Sequence, residues 1–216
     1  MSAAEVRRLW IPGPAGRLEA ALRVAACPRA TAVVAHPHPL HGGTLHNPVV
    51  FHAERRLNRA GLTTLRFNFR GVGESQGLHD AGRGEVDDLS AAASWVRGLA
   101  DEVPLVVVGY SFGAACALRL ARVDRSVRAV VCIGLPLGGG VTNEVDVLTR
   151  PVAVVQAERD EFGEPDAVRR WLARADSAGR LYVVERTTHL FPGRAREAAD
   201  RVGLAVEHLL RRIDAG

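Results

Sequence analysis

The segment Val106-Val107-Val108-Gly109-Tyr110-Ser111-Phe112-Gly113-Ala114-Ala115 decides the fold of this chain. Its apolar, β-branched beginning predicts a buried strand, and its alanine-rich end predicts a helix. Ser111 lies at the apex of the turn between them, where we expect a positive φ. Such a turn brings the residues two before and two after the serine close together, which explains the glycines at 109 and 113. The serine hydroxyl would then stand above a helix N-terminus, where N–H groups favour an anion.

Ser111 has two open interpretations at this point. Its hydroxyl could cap the helix by accepting a backbone N–H, which is a purely structural role. It could instead be a nucleophile, which needs a base to take its proton and an anion to orient that base.

Composition bounds the class of protein. A chain of 216 residues, 47% hydrophobic and 24% charged, suits one soluble domain over residues 1–216. No apolar run approaches the ~20 residues of a membrane helix, and no signal peptide is visible, so we expect a cytoplasmic protein that does not contact membranes. All 28 basic residues are arginine, which excludes Schiff-base, Ser-Lys and P-loop lysine chemistry. The arginines are scattered, so the net charge of +4 does not predict a nucleic-acid partner.

The histidines and cysteines are the candidate metal ligands in this sequence. Histidines 36, 38, 41 and 46 are closely spaced, but Pro37 and Pro39 stiffen the segment and no acid or cysteine completes a ligand pattern. The three cysteines are too widely spaced for a disulfide framework or a zinc site. We therefore predict neither a metal nor a cofactor.

The hydrophobic pattern alternates between strands and helices. Strands are predicted at Val6–Ile11, Leu18–Val24, Ala32–Ala35, Leu62–Phe67, Leu105–Val108, Val127–Ile133, Val152–Gln156 and Arg180–Val184. Helices are predicted at Val49–Ala60, Glu85–Leu99, Ala114–Ala121, Asp166–Ala175 and Ala195–Arg212. This alternation predicts an α/β fold: a mostly parallel, doubly wound sheet with helices on both faces and an antiparallel N-terminal strand pair. The first strands leave a sheet edge that is compatible with a monomer or a homodimer.

Three polar residues follow predicted strands closely. Ser111, Asp160 and His189 each come a few residues after a strand, and reactive groups gather at the carboxyl ends of parallel strands. We therefore expect these three side chains on one edge of the sheet.

The serine turn carries a resemblance to a known family. Gly109–Gly113 resembles the nucleophile elbow of the α/β-hydrolase superfamily, and the order Ser111, Asp160, His189 is that family's order of nucleophile, acid and histidine. Thr188–Phe191 resembles the segment around the family's histidine. The pair Gln156-Ala157 departs from the commoner His-Gly before the acid.

A second loop narrows the resemblance. His36–Gly43 resembles the HPHP-x-x-GG loop of small, lidless bacterial hydrolases that are esterase-like or dienelactone-hydrolase-like. The resemblance covers about Ala32–His208. Dienelactone-hydrolase or dehalogenase chemistry is disfavoured, because it would place Cys or Asp at position 111.

The resemblance implies roles for these residues. Ser111 is the nucleophile, His189 the base and Asp160 the carboxylate that orients it, with Glu158 or Glu161 as alternative acids. One oxyanion donor is the Phe112 N–H. The second comes from the loop after Ala35. Prolines 37 and 39 have no N–H, so residues 38, 40, 41 and 42 remain; we choose Leu40, with His38 second.

The site should be open. The connection Leu135–Thr149 is too short for a helical lid, and we expect Leu40, Leu135, Leu137 and Phe191 to line the site. An open apolar groove favours small or accessible acyl groups. The predicted function is a serine carboxylesterase that acts on a small-molecule acyl substrate. A thioesterase, a peptidase, or a binding protein with a vestigial site are the alternatives.

Overall fold

The computed structural model describes residues 5–138, 148, 150–176 and 178–215. The strands are β1 (Arg7–Gly13), β2 (Gly16–Arg23), β3 (Ala30–Ala35), β4 (Leu62–Phe67), β5 (Leu105–Tyr110), β6 (Val127–Ile133), β7 (Val152–Arg159) and β8 (Arg180–Thr188). The α-helices are α1 (Pro48–Arg59), α2 (Arg83–Arg97), α3 (Phe112–Val123), α4 (Pro165–Ala175) and α5 (Ala195–Asp214). A short 3-10 helix, Pro39–His41, follows β3.

All eight strands belong to one sheet in the order β1-β2-β4-β3-β5-β6-β7-β8. Strand β2 is antiparallel to β1 and to β4, and every other neighbouring pair is parallel. The predicted α/β-hydrolase fold with an antiparallel N-terminal pair is confirmed. That residues 1–216 form a single domain stays a prediction.

The core lies in two layers, one on each face of the sheet. Helices α2, α3 and α4 cover one face, where Leu89, Cys116 and Trp171 are buried. Helices α1 and α5 cover the other, where Leu57 and Val206 are buried. Every residue of the central strands β3, β4 and β5 is buried, because helices exclude water from both faces. This explains the continuous apolar runs in the sequence.

The last two strands are longer than the hydrophobic pattern predicted. Strand β7 continues past Gln156 to Arg159, and β8 continues past Val184 to Thr188. Strand β8 lies at the edge of the sheet, and its residues Glu185 and Arg186 are exposed to solvent. The last two residues of β7, Glu158 and Arg159, are also exposed, and Arg159 still pairs with Thr188 of β8. Charged residues therefore do not mark the end of either strand, and the pattern underestimated both.

Among the described residues, no helix lies between β6 and β7, the connection in which a lid would be inserted. Residues 139–147 and 149 of that connection lie outside the described residues, and the prediction for Leu135–Thr149 rests there on chain length alone. Within the described ranges, no helix combines the length and apolar character that crossing a membrane requires.

Candidate active site

The turn between β5 and α3 is tight and strained. Ser111 has φ 54° and ψ −113°, a conformation that L-residues avoid. A side chain at Gly109 would overlap the Gly113 carbonyl, and one at Gly113 would lie 2.7 Å from the carbonyl oxygens of Ala35 and His36. Only glycine fits at both positions. The Ser111 side chain makes no capping hydrogen bond to α3, so this serine does not have the helix-capping role that the sequence left open.

The structure brings the three predicted side chains together. The Ser111 Oγ lies 2.8 Å from His189 Nε2, and His189 Nδ1 lies 2.9 Å from each oxygen of Asp160. A carboxylate only accepts hydrogen bonds, so Nδ1 carries the ring hydrogen and Nε2 accepts the serine proton. Asp160 is 1% and His189 4% exposed. The imidazole can therefore take a proton from the hydroxyl while a buried carboxylate faces its other nitrogen.

The pairing of the last two strands explains this contact. Arg159 of β7 is paired with Thr188 of β8. Asp160 follows the end of β7 and His189 follows the end of β8, so the two side chains lie side by side at the edge of the sheet. A one-residue shift in register would turn one of them to the opposite face.

Tyr110 ties the serine turn to the histidine loop. Its hydroxyl donates a 2.8 Å hydrogen bond to the His189 carbonyl. Burial, together with the charges of Asp160 and Glu161, raises the pKa of the Tyr110 phenol, so it remains a donor. Sequence reasoning did not find this contact. The signal was the tyrosine beside the serine at the end of a strand that is otherwise aliphatic.

The alternative acids bond elsewhere. The Glu158 carboxylate accepts the Arg186 backbone N–H at 2.7 Å, and the Glu161 carboxylate accepts the His189 backbone N–H at 3.3 Å. Neither bonds to the imidazole ring. Asp160 alone among these three carboxylates faces His189 Nδ1.

Phe112 and His38, the candidate oxyanion donors, both line the cavity around Ser111. Phe112 is the first residue of α3, so its N–H has no acceptor within the helix. In the part of the chain that the structure describes, neither the Phe112 nor the His38 backbone N–H has a hydrogen-bond partner.

Leu40 does not occupy the position that we predicted for it. Its backbone N–H donates to His38 Nδ1 at 3.2 Å, and its side chain is 70% exposed. It is absent from the lining of the cavity, whereas His38 is part of it. Leu40 lies in the 3-10 helix Pro39–His41, where its side chain points to solvent. This corrects the choice of Leu40 and leaves His38, the second choice, as the candidate donor.

His36 anchors this loop from inside. Its Nδ1–H donates to the Pro37 carbonyl at 2.6 Å, and its Nε2 accepts the Phe69 N–H at 3.1 Å. Burial lowers the pKa of His36 to about 4, so the ring is neutral. The described residues contain no group of three or more histidines, cysteines or acids placed to hold a metal ion.

The cavity around Ser111 measures about 530 Å³. Its lining comprises Pro37, His38, His41, Gly42, Gly43, Asn47, Ala81, Tyr110, Ser111, Phe112, Ala115, Cys116, Arg119, Pro136, Gly138, Phe162, His189 and Leu190. The four residues that we expected there, Leu40, Leu135, Leu137 and Phe191, are not among them. Leu135 and Phe191 are instead packed in the core.

Phe162 and Leu190 supply the apolar surface that we had assigned to other residues. Phe162 is 56% and Leu190 is 71% exposed, and both line the cavity. The Phe162 ring lies 4.6 Å from the His189 ring, centroid to centroid. The resemblance pointed to Thr188–Phe191 as a segment, but not to which of its two apolar residues faces outward.

The parallel sheet, the strained serine turn and the absence of a helix between β6 and β7 in the described residues are together typical of lidless α/β hydrolases. The chain belongs to the alpha/beta hydrolase family, because the model of the alpha/beta hydrolase domain matches residues 28–212.

Solved structures of serine hydrolases agree with this assignment, and the chain is also similar to one uncharacterised protein. An α/β serine hydrolase without a lid from Xanthomonas campestris is 34% identical, with a TM-score of 0.84 and 94% of each chain covered. An α/β serine hydrolase homologue from Coxiella burnetii is 33% identical, with a TM-score of 0.84, over 92% of this chain and 96% of that one. An uncharacterised protein of Rickettsia prowazekii is 35% identical over 167 residues, which are 75% of this chain and 70% of that protein.

Proposed function

We propose that this protein is a serine esterase that cleaves small or accessible acyl esters through Ser111, His189 and Asp160. The observation that carries the proposal is the unbroken chain of contacts from the Ser111 hydroxyl through the imidazole to the Asp160 carboxylate. This arrangement can remove a proton from a hydroxyl that is otherwise a poor nucleophile.

The reaction follows from the contacts. Ser111 Oγ attacks the acyl carbon as His189 Nε2 takes its proton, and Asp160 stabilises the imidazolium that forms. His189 then gives the proton to the leaving alkoxide, and the carbon–oxygen bond of the ester breaks. Water, deprotonated by His189, attacks the acyl-enzyme and releases the carboxylic acid and the free serine.

The oxyanion of each tetrahedral intermediate needs donors. We assign this role to the backbone N–H groups of Phe112 and His38, which lack partners among the described residues. The N-terminus of α3 adds a favourable dipole at the same point.

The rim of the cavity indicates the size of the acyl group that it can bind. Its rim at Phe162 and Leu190 is exposed and apolar. An open apolar rim suits small acyl groups. Esters of small acyl groups are therefore the proposed substrates, and thioesters of such groups are the alternative.

A labelling experiment tests the nucleophile. A fluorophosphonate should form one adduct on Ser111, and the Ser111→Ala variant should not be labelled. Ser126→Ala, a turn serine between α3 and β6, is the matched control and should label at the wild-type rate. A wild-type protein that stays unmodified and inert toward p-nitrophenyl acetate would support the non-enzymatic alternative instead.

A substrate panel then refines the class. We expect p-nitrophenyl acetate and butyrate to be cleaved with higher kcat/KM than laurate, because the apolar rim at Phe162 and Leu190 is exposed and would leave much of a long chain in water. Aminoacyl amides should be resistant. Faster cleavage of amides than of esters would indicate a peptidase.

A further inference from the structure

The site cavity continues into two neighbouring cavities. Asn47 and Leu190 line both the cavity around Ser111 and a second one of about 360 Å³. His52 and Arg196 line both this second cavity and a third of about 300 Å³. The three cavities therefore lie side by side in a row that starts at the serine, and we call this row the groove.

The groove follows helix α1. Asn47 caps the helix, with its side-chain oxygen 2.9 Å from the Val49 nitrogen, and lies where the groove leaves the serine cavity. His52, Arg55 and Arg59 come next along the helix and line the rest. With a rise of about 1.5 Å per residue, Arg55 and Arg59 lie about 12 and 18 Å beyond Asn47.

The far end of the groove is positively charged. Four arginines and one histidine line the third cavity, against a single carboxylate: Arg55, Arg56, Arg59, Arg196, His52 and Asp200.

The local pairings leave that charge largely uncompensated. Arg56 lies 3.6 Å from Asp200, and Arg55 stacks on Phe51 at 5.5 Å. Within the described ranges, Arg59 and Arg196 have no carboxylate partner. Burial lowers the pKa of His52, and the nearby charges of Arg196 and Arg55 lower it further.

The position of His189 says which part of a substrate enters the groove. In the proposed mechanism His189 gives its proton to the leaving group, so the leaving group lies beside His189. The next residue, Leu190, forms the wall between the first two cavities. A long leaving group that continued past Leu190 would run along α1 toward the arginines.

We propose that the natural substrate has a long leaving group that ends in phosphate, and that Arg59 and Arg196 bind this phosphate. Acyl thioesters of coenzyme A have this chemistry: a long neutral arm followed by phosphate. Arginine is the side chain best suited to bind phosphate. This inference rests on the proposed function for the direction of the leaving group.

The thioester step balances as the ester step does. Ser111 Oγ bonds to the acyl carbon, the carbon–sulfur bond breaks, and the thiol leaves with the proton that His189 took from the serine. Water then hydrolyses the acyl-enzyme. One thioester and one water give one carboxylic acid and one thiol.

Binding can be measured apart from catalysis. Free coenzyme A, ADP and pantetheine are titrated calorimetrically into the Ser111→Ala protein at two salt concentrations. We expect coenzyme A to bind at least about tenfold more tightly than pantetheine, with the difference shrinking at high salt because counterions screen the arginines. ADP binding nearly as tightly as coenzyme A would support phosphate recognition without the arm. Equal affinity for coenzyme A and pantetheine would overturn the proposal.

Matched variants locate the phosphate site. Arg59→Gln/Arg196→Gln, made in the Ser111→Ala protein, should weaken coenzyme A binding about tenfold and leave pantetheine binding unaltered. Arg122→Gln/Arg128→Gln removes the same charge at the end of α3 and the start of β6, from two exposed residues that line none of the three cavities, and is the control. Equal losses in both double variants would mean a general charge effect and refute the assignment. Thermal unfolding confirms that each variant is folded.

Turnover completes the test in the active protein. The ratio of kcat/KM for acetyl-coenzyme A to that for S-acetylpantetheine should be about ten and should fall toward one in Arg59→Gln/Arg196→Gln. A protein labelled by fluorophosphonate that shows no such preference refutes only the phosphate site. A protein that is not labelled refutes the proposed function, while the binding titration still reports on the groove.

Discussion

Two buried histidines at the same edge of the sheet have opposite properties. His189 and His36 are 4% and 0% exposed, and both ring nitrogens of each make a hydrogen bond. The partners of His189 are a carboxylate and a hydroxyl, whereas those of His36 are the Pro37 carbonyl and the Phe69 amide. Backbone amides and carbonyls neither give up nor take a proton near neutral pH. His36 therefore has a structural role, whereas His189 can take up and release a proton. Burial is common to both; the partners decide the role.

Changing the carboxylate partner of His189 should have the largest effect. In Asp160→Asn the amide nitrogen can donate to Nδ1, which places the ring hydrogen on Nε2 and removes the base. We expect kcat for p-nitrophenyl acetate to fall by about 10⁴, as it does when a serine-protease triad loses its carboxylate in this way.

Glu161→Gln is the matched control for this change. That carboxylate accepts backbone N–H groups, including that of His189, and does not bond to the imidazole ring, so we expect a loss of less than about tenfold. A large loss in Glu161→Gln together with an active Asp160→Asn would reassign the orienting acid.

The loop that His36 holds can be tested through its backbone. His38 has φ −54°, which suits proline, so His38→Pro removes the N–H without forcing the chain into a new conformation. We expect kcat to fall by about 10²–10³, the usual cost of one oxyanion donor. His38→Ala keeps the N–H and should retain most of the activity; a similar loss in both variants would place the effect in the side chain.

The contrast also predicts a pH dependence of stability. The folded state binds a proton on His36 with a pKa of about 4, and the unfolded state binds it with histidine's ordinary pKa of 6.5. The unfolded state therefore takes up more protons as pH falls from 6.5 to 4, and the native state loses up to about 3 kcal/mol over that range. Above pH 6.5 this contribution is fully retained.

Urea unfolding at several pH values measures this change. In His36→Gln, stability at pH 7 should fall by about 1–3 kcal/mol through the lost hydrogen bonds, and the pH-dependent part assigned to His36 should vanish. An unchanged slope between pH 4 and 6.5 would assign the acid sensitivity to other groups.

Local sterics made the serine turn predictable from sequence. Gly109 is required because a side chain there would overlap the Gly113 carbonyl. Gly113 is required because a side chain there would crowd the Ala35 and His36 carbonyls at the end of the neighbouring strand β3. The strand order and the placement of polar residues at one edge likewise follow from hydrophobic alternation. The contacts among Ser111, Asp160 and His189 could be expected because each residue follows a strand that ends at that edge.

The features that sequence analysis missed depend on long-range packing. Whether Leu190 or Phe191 faces the cavity depends on the positive φ of Phe191 (50°), which turns its ring into the core. Whether Leu40 or His38 faces Ser111 depends on the 3-10 turn after Pro39 and on the His36 ring beneath it. No periodicity in the sequence reports such turns.

The hydrogen bond from Tyr110 to the His189 carbonyl makes two distant stretches of chain one mechanical unit. A substitution that shifts β5 should also shift the His189 backbone, and one that shifts the end of β8 should also shift the serine turn. Free-energy effects of paired changes on these strands should therefore be non-additive, and repacking one strand in an engineered variant calls for compensating changes in the other.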